Sequence, residues 1–124
     1  MNMTADVIDI NGKKYVPADS VQPTKAESVD GMDYVIVRTY SAGVHAGYLK
    51  SRSGKEVVLV NARRLWFWKG AATLSQLAME GVKSPSDCKF PCEVSSITLT
   101  EAIEVIPATA AAKASIDGVA IWKK

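Results

Sequence analysis

The sequence predicts an α+β fold: a small antiparallel β-sheet, a meander or partly open barrel, with one or two short helices packed on it. Three observations predict it. Between residues 33 and 68, β-branched and aromatic residues come in short runs separated by small-residue turns. From Gly70 the apolar period lengthens to that of a helix, and a second helix signal follows at Thr109. With 124 residues there is room for one compact domain, whose modest core would gain from oligomerisation.

Taken in order, residues 5–21 read as a β-hairpin arm. Val7, Ile8 and Ile10 lead into Asn11-Gly12, and Tyr15-Val16 follow before Pro17. Gln22–Gly31 is polar and aperiodic and reads as a linker. The expected organisation is therefore an arm and linker over 1–31 and a single compact ligand-binding domain over 32–124.

Asp33–Thr39 is a strand, with Tyr34, Ile36, Arg38 and Tyr40 on one face and Val35, Val37 and Thr39 on the other. Ser41-Ala42-Gly43 turns the chain into a returning strand, Val44–Lys50. Ser51–Gly54 is a second turn, Lys55–Asn61 a third strand, and Arg63–Trp68 a fourth. Leu74, Leu77 and Ala78 recur at helical spacing, with Gly81 as terminator. Lys83–Pro91 is a loop, and Val94 to Ile106 a long or interrupted strand ending at Pro107. Thr109 is placed to cap an Ala-rich helix over Ala110–Ile116, and Val119–Trp122 closes as a short strand.

A net charge of +2 is far below the loading of a dedicated duplex binder, so no nucleic acid partner is expected. The N-terminus lacks the apolar core of a signal peptide and no run reaches membrane-spanning length, so a membrane partner is not expected either. Cys88 and Cys92, with His45 as the only histidine, do not make a metal site, and reduced thiols fit a cytosolic protein. No nucleophile, acid pair or cofactor motif stands in a recognisable setting. The residues point to binding rather than catalysis, with neither metal nor cofactor.

Two segments carry the binding chemistry. In the first, Arg38, Thr39, Tyr40, Ser41, Ala42, Gly43 and His45 combine small residues, hydroxyls and cations where a strand ends. Such a turn lets a phosphate or sugar approach the backbone, although a plain hairpin turn has the same composition. In the second, Asn61, Arg63, Arg64, Trp66 and Trp68 interleave guanidinium groups and rings. In an extended chain Arg64, Trp66 and Trp68 share one face and Arg63, Leu65 and Phe67 the other. Since a single-layer sheet has one core, one face must carry large groups at a surface. Rings beside guanidinium groups suit a nucleobase with its phosphates, and suit a subunit interface equally.

The strings VIVRTYSAGVHAGYL, EVVLVNARRLWFWKGAATLSQLAMEG and SDCKFPCEV, covering most of the span from Asp33 to Trp122, resemble a small phage and prophage protein family. The opening INGKKYVPADSV resembles the N-terminal arms of small phage proteins. That family is similar to the first Thoeris anti-defence proteins, sponges that hold a cyclic ADP-ribose signal, or in some members cyclic oligonucleotides, without cleaving it. The resemblance implies a cyclic nucleotide-type ligand, a homo-oligomer of two or more chains, and residence in the host bacterial cytoplasm. The alternative expectation is a phage structural or assembly protein that uses the Trp-rich strand as its interface.

Overall fold

The computed structural model describes residues 24–123, together with the backbone of two short strands, β1 (Ile8–Ile10) and β2 (Lys13–Tyr15). These two pair antiparallel with Ile10 opposite Lys13, the pairing that Asn11-Gly12 predicts. The rest of the expected arm, including Val7 and Val16, lies outside the described residues.

Five strands form the main sheet: β3 (Tyr34–Thr39), β4 (Val44–Ser53), β5 (Glu56–Arg64), β6 (Glu93–Leu99) and β7 (Ala102–Pro107). Their spatial order is β6-β5-β4-β3-β7, antiparallel throughout. Helices α1 (Leu74–Glu80) and α2 (Ala110–Asp117) complete the predicted α+β architecture. The expected long strand is broken in two by Thr100-Glu101, so the two edge strands of the sheet are neighbours in sequence.

That connection coils the sheet, and both of its faces are buried. Val35 and Val37 of β3, Val57, Leu59 and Ala62 of β5, Leu99 of β6 and Ala102 of β7 pack on one another with no helical residue among them. Opposite edges of one sheet meet in this cluster because the sheet closes partly on itself. The outer face carries Tyr34, Ile36, Ala46 and Tyr48, covered by Leu77 and Ala78 of α1, Ala112 and Ile116 of α2, and Phe90. The alternation read along β3 is thus observed, but the expectation of a single core is corrected to two.

Both helices begin at threonine caps. Thr73 accepts a hydrogen bond from the Gln76 amide at 3.1 Å and Thr109 from the Ala112 amide at 3.0 Å. Thr109 also donates its hydroxyl to the Met79 carbonyl (2.7 Å), which holds the start of α2 against the end of α1.

Three expectations are corrected. Residues 24–31 are not a free linker: the Ala26 amide bonds to the Ala108 carbonyl and the Ala110 amide to the Thr24 carbonyl. Ala26 is also buried in the outer core, so the compact body begins before Met32. The separate fourth strand over Arg63–Trp68 does not form, since β5 runs unbroken to Arg64. Val119–Trp122 contributes a single parallel bridge, Phe90 with Ile121, rather than a strand.

Candidate functional site

The β3–β4 connection is a self-clipped turn. The Thr39 amide and hydroxyl both donate to the Gly43 carbonyl, at 3.0 and 2.7 Å, and the Ala42 amide donates back to the Thr39 hydroxyl at 2.9 Å. Gly43 closes it with φ +82°, a region that favours glycine. Thr39 is therefore buried and committed, which corrects its reading as a ligand contact. The Ser41 hydroxyl donates to the Glu101 carboxylate (2.7 Å) and the Tyr40 amide to the Glu101 carbonyl (3.0 Å), tying this turn to the β6–β7 corner.

Beside the turn lies the far end of β5. His45 pairs with Arg64 and Ala46 with Arg63, and the Leu65 amide continues the pairing to the Val44 carbonyl at 2.8 Å. A cleft of about 330 Å³ opens between the two segments, lined by Ser41, Ala42, Gly43, Val44, Arg64, Leu65 and Trp66. Its volume is at the small end of ligand pockets. The predicted residues that meet here are Ser41, Ala42, Gly43, Arg64 and Trp66.

The remaining predicted residues sit elsewhere, each for a physical reason. Arg63 is almost fully buried beneath the helices and donates to four carbonyls: Pro91 (3.0 Å), Ile116 (2.8 Å), Phe90 (3.1 Å) and Val119 (2.7 Å). It is a structural cation, not a ligand contact. Burial lowers its pKa from the ordinary arginine value, while Tyr34, Asp117 and Glu93 act to raise it. Trp68 packs half-buried against the outer core, because the alternation that holds for Arg63 to Trp66 fails at Phe67, where the chain bridges to Lys89 instead. Arg38 is paired with Glu104, and Tyr40 points to a separate hollow with Lys55, Glu101 and Ile103. Asn61 has φ +50° where β5 carries an extra residue against β4. It lines neither the cleft nor the hollow of Tyr40.

His45 is 1% exposed and accepts a hydrogen bond at Nε2 from Arg64 Nε (3.1 Å). Burial first, and the Arg64 charge second, push its pKa down to about 4. The ring is neutral at pH 7, and with Nε2 accepting, its proton sits on Nδ1. That atom is buried without a hydrogen-bond partner among the described residues.

Residues 32–116 match a family model described as a domain of unknown function, DUF6948. The chain belongs to the DUF6948 family. No curated protein and no solved structure matches it. The DUF6948 segment takes in the whole sheet from β3 to β7, and therefore every residue that lines the cleft.

Residues overlooked in the sequence reading complete the surroundings. Trp122, beyond the DUF6948 segment, stacks on Trp66 with ring centroids 5.0 Å apart and planes 10° from parallel. Lys89 Nζ sits 5.6, 5.9 and 5.7 Å from the rings of Trp66, Phe67 and Trp122. With Trp66 57% exposed, this is a cationic aromatic ledge beside the cleft. No periodicity signals it, since Lys89 and Trp122 reach Trp66 only through the Phe67–Lys89 and Phe90–Ile121 bridges.

Proposed function

We propose that this DUF6948 protein binds and sequesters a nucleotide-type ligand in the cleft between Ser41–Val44 and Arg64–Trp66, without cleaving it. The observation that carries the reading is Arg64. Its Nε is fixed by His45, while its terminal nitrogens have no hydrogen-bond partner among the described residues, beside an exposed indole. A held guanidinium next to a ring is what a phosphate joined to a base requires. The small residues Ala42 and Gly43 leave the opposite wall open to a bulky anion.

The resemblance to Thoeris anti-defence sponges narrows the ligand to a cyclic ADP-ribose isomer or a cyclic oligonucleotide, captured in the host bacterial cytoplasm by an oligomer of this chain. Titration calorimetry against both classes tests the assignment. Arg64→Ala and Trp66→Ala should each weaken binding about tenfold or more, as loss of a charge-assisted contact or of one stacked ring does. Unchanged affinity in both variants would remove the cleft from consideration.

A second reading is favoured by one observation, the contiguous exposure of Trp66, Phe67, Ile121 and Trp122. In it the ledge is an assembly surface of a phage structural protein. It requires the protein in purified virions by mass spectrometry, and a fall in oligomer mass for Trp66→Ser by sedimentation without any ligand.

A further inference from the structure

The two edges of the main sheet are guarded differently. At β7, Glu104 is paired with Arg38 and Pro107 ends the strand. Charges and prolines are what keep an edge strand from pairing with another chain. On β6 only Glu93 is charged, and Val94-Ser95-Ser96-Ile97-Thr98-Leu99 holds neither a charge nor a proline. Among the described residues, β6 pairs with β5 alone, and residues 94–98 make no backbone hydrogen bond on the other side. Most of the strand is exposed, with Val94 at 43%. It is an open template for one more strand.

The order of the residues on β6 selects what pairs with it. Val94 lies opposite Ala62 and Ile97 opposite Leu59, and both of those belong to the inner core. Residues three apart ordinarily point to opposite faces, but Asn61, with φ +50°, shifts the alternation between them. Val94 and Ile97 therefore share the inner side, while Glu93 and Thr98 are exposed on the other. From Glu93 to Thr98 the strand reads alike in both directions: polar, apolar, serine, serine, apolar, polar. Laid antiparallel on itself about a two-fold axis, it sets Val94 against the partner's Ile97 and Glu93 against the partner's Thr98. The serines meet at the centre, and no like charges are opposed. An isologous contact requires this kind of self-complementarity, which a second copy supplies by symmetry.

We propose that β6 pairs antiparallel with β6 of a second copy, joining two five-stranded sheets edge to edge. The interface lies away from the cleft and the aromatic ledge, and it stands whether or not the cleft binds a nucleotide. One strand a side buries less than the roughly 800 Å² per partner of a standard interface, so the dimer is a weak one.

Sedimentation velocity of the full-length protein, over a concentration series and without ligand, should show a monomer–dimer equilibrium. Thr98→Lys places an ammonium against the partner's Glu93 twice per dimer and should tighten association about threefold or more. Thr98→Glu opposes carboxylates at the same two places and should weaken it by about the same factor. Within one chain Thr98 and Glu93 stand at opposite ends of the strand, so both variants should melt like the parent protein when dilute. Backbone hydrogen exchange at residues 94–98 should slow as concentration rises, and Trp66→Ser on the ledge should leave the dimer intact. A protein that stays monomeric throughout overturns the proposal, as does a dimer that both charged variants shift in the same direction. Equal protection of the β6 amides at every concentration would mean that a segment of the same chain covers the edge, and would overturn it too.

Discussion

Replacing Arg63 with alanine removes the side chain that joins β5 to three other parts of the molecule. Its guanidinium reaches the carbonyls of Phe90 and Pro91 in the loop before β6, of Ile116 in the last turn of α2, and of Val119 beyond it, and lies 5.4 Å from the Phe90 ring centroid. The Ile116 bond matters particularly, because the last carbonyls of a helix have no intrahelical donor. A hydrogen bond from a charged donor contributes about 1.5–3 kcal/mol net, but four bonds from one group are not additive. The alanine variant also leaves buried acceptors unsatisfied. Unsatisfied buried acceptors cost about 1–3 kcal/mol each, and with incomplete additivity the total is about 3–5 kcal/mol, a large share of the roughly 5–15 kcal/mol that holds a domain folded. With a urea m-value of about 1.5 kcal/mol/M for a protein of this size, the midpoint should fall by roughly 2–3 M. Urea titration followed by far-UV circular dichroism measures it. Arg63→Lys should be intermediate, since one ammonium cannot reach all four acceptors in fork geometry. A loss under about 1 kcal/mol in Arg63→Ala would refute the structural role and return Arg63 to the ligand-binding candidates.

The His45 pKa of about 4, below the ordinary 6.5, makes the unfolded chain the better proton binder between those values. Its contribution is therefore whole above pH 6.5, declines as pH falls, and is lost through pH 4, a span of roughly 3 kcal/mol at most. His45→Phe should flatten the stability–pH curve in that window, and parallel curves for the two proteins would contradict the assignment. Gly81→Ala should destabilise by more than about 1 kcal/mol in thermal unfolding. The position has φ +79°, and a Cβ there would meet the Ser115 Cβ at 2.3 Å. Unaltered melting would show that α1 and α2 part easily.

Local signals were legible in the sequence, and long-range ones were not. Alternation along β3, the Thr109 cap and the Gly81 terminator each depend on a few neighbouring residues, and each is observed. Segments 41–45 and 64–66 were each singled out by composition, but their adjacency was not legible, because Arg63–Trp68 read as a separate strand and not as the end of β5 running back along β4 to His45. The two arginines could not be told apart by composition. Their opposite fates depend on β5 lying beneath α2 on one face, and beside His45 on the other. Thr39 was misjudged because its hydroxyl satisfies the turn before any ligand, whereas Ser41 lines the cleft even though its hydroxyl donates to Glu101. Residues 24–31 looked like a linker because what anchors them, Ala108 to Ala110, lies some eighty residues away in the chain.

The central claim is capture without conversion. Cyclic ADP-ribose isomers and cyclic oligonucleotides are incubated with the protein, filtered to remove complex, and recovered from the heat-denatured retentate for mass spectrometry. One signal should be depleted from the filtrate and return from the retentate at its original mass, up to one equivalent per cleft. A filtrate in which every signal remains at full concentration, or a recovered ligand of altered mass, would contradict it.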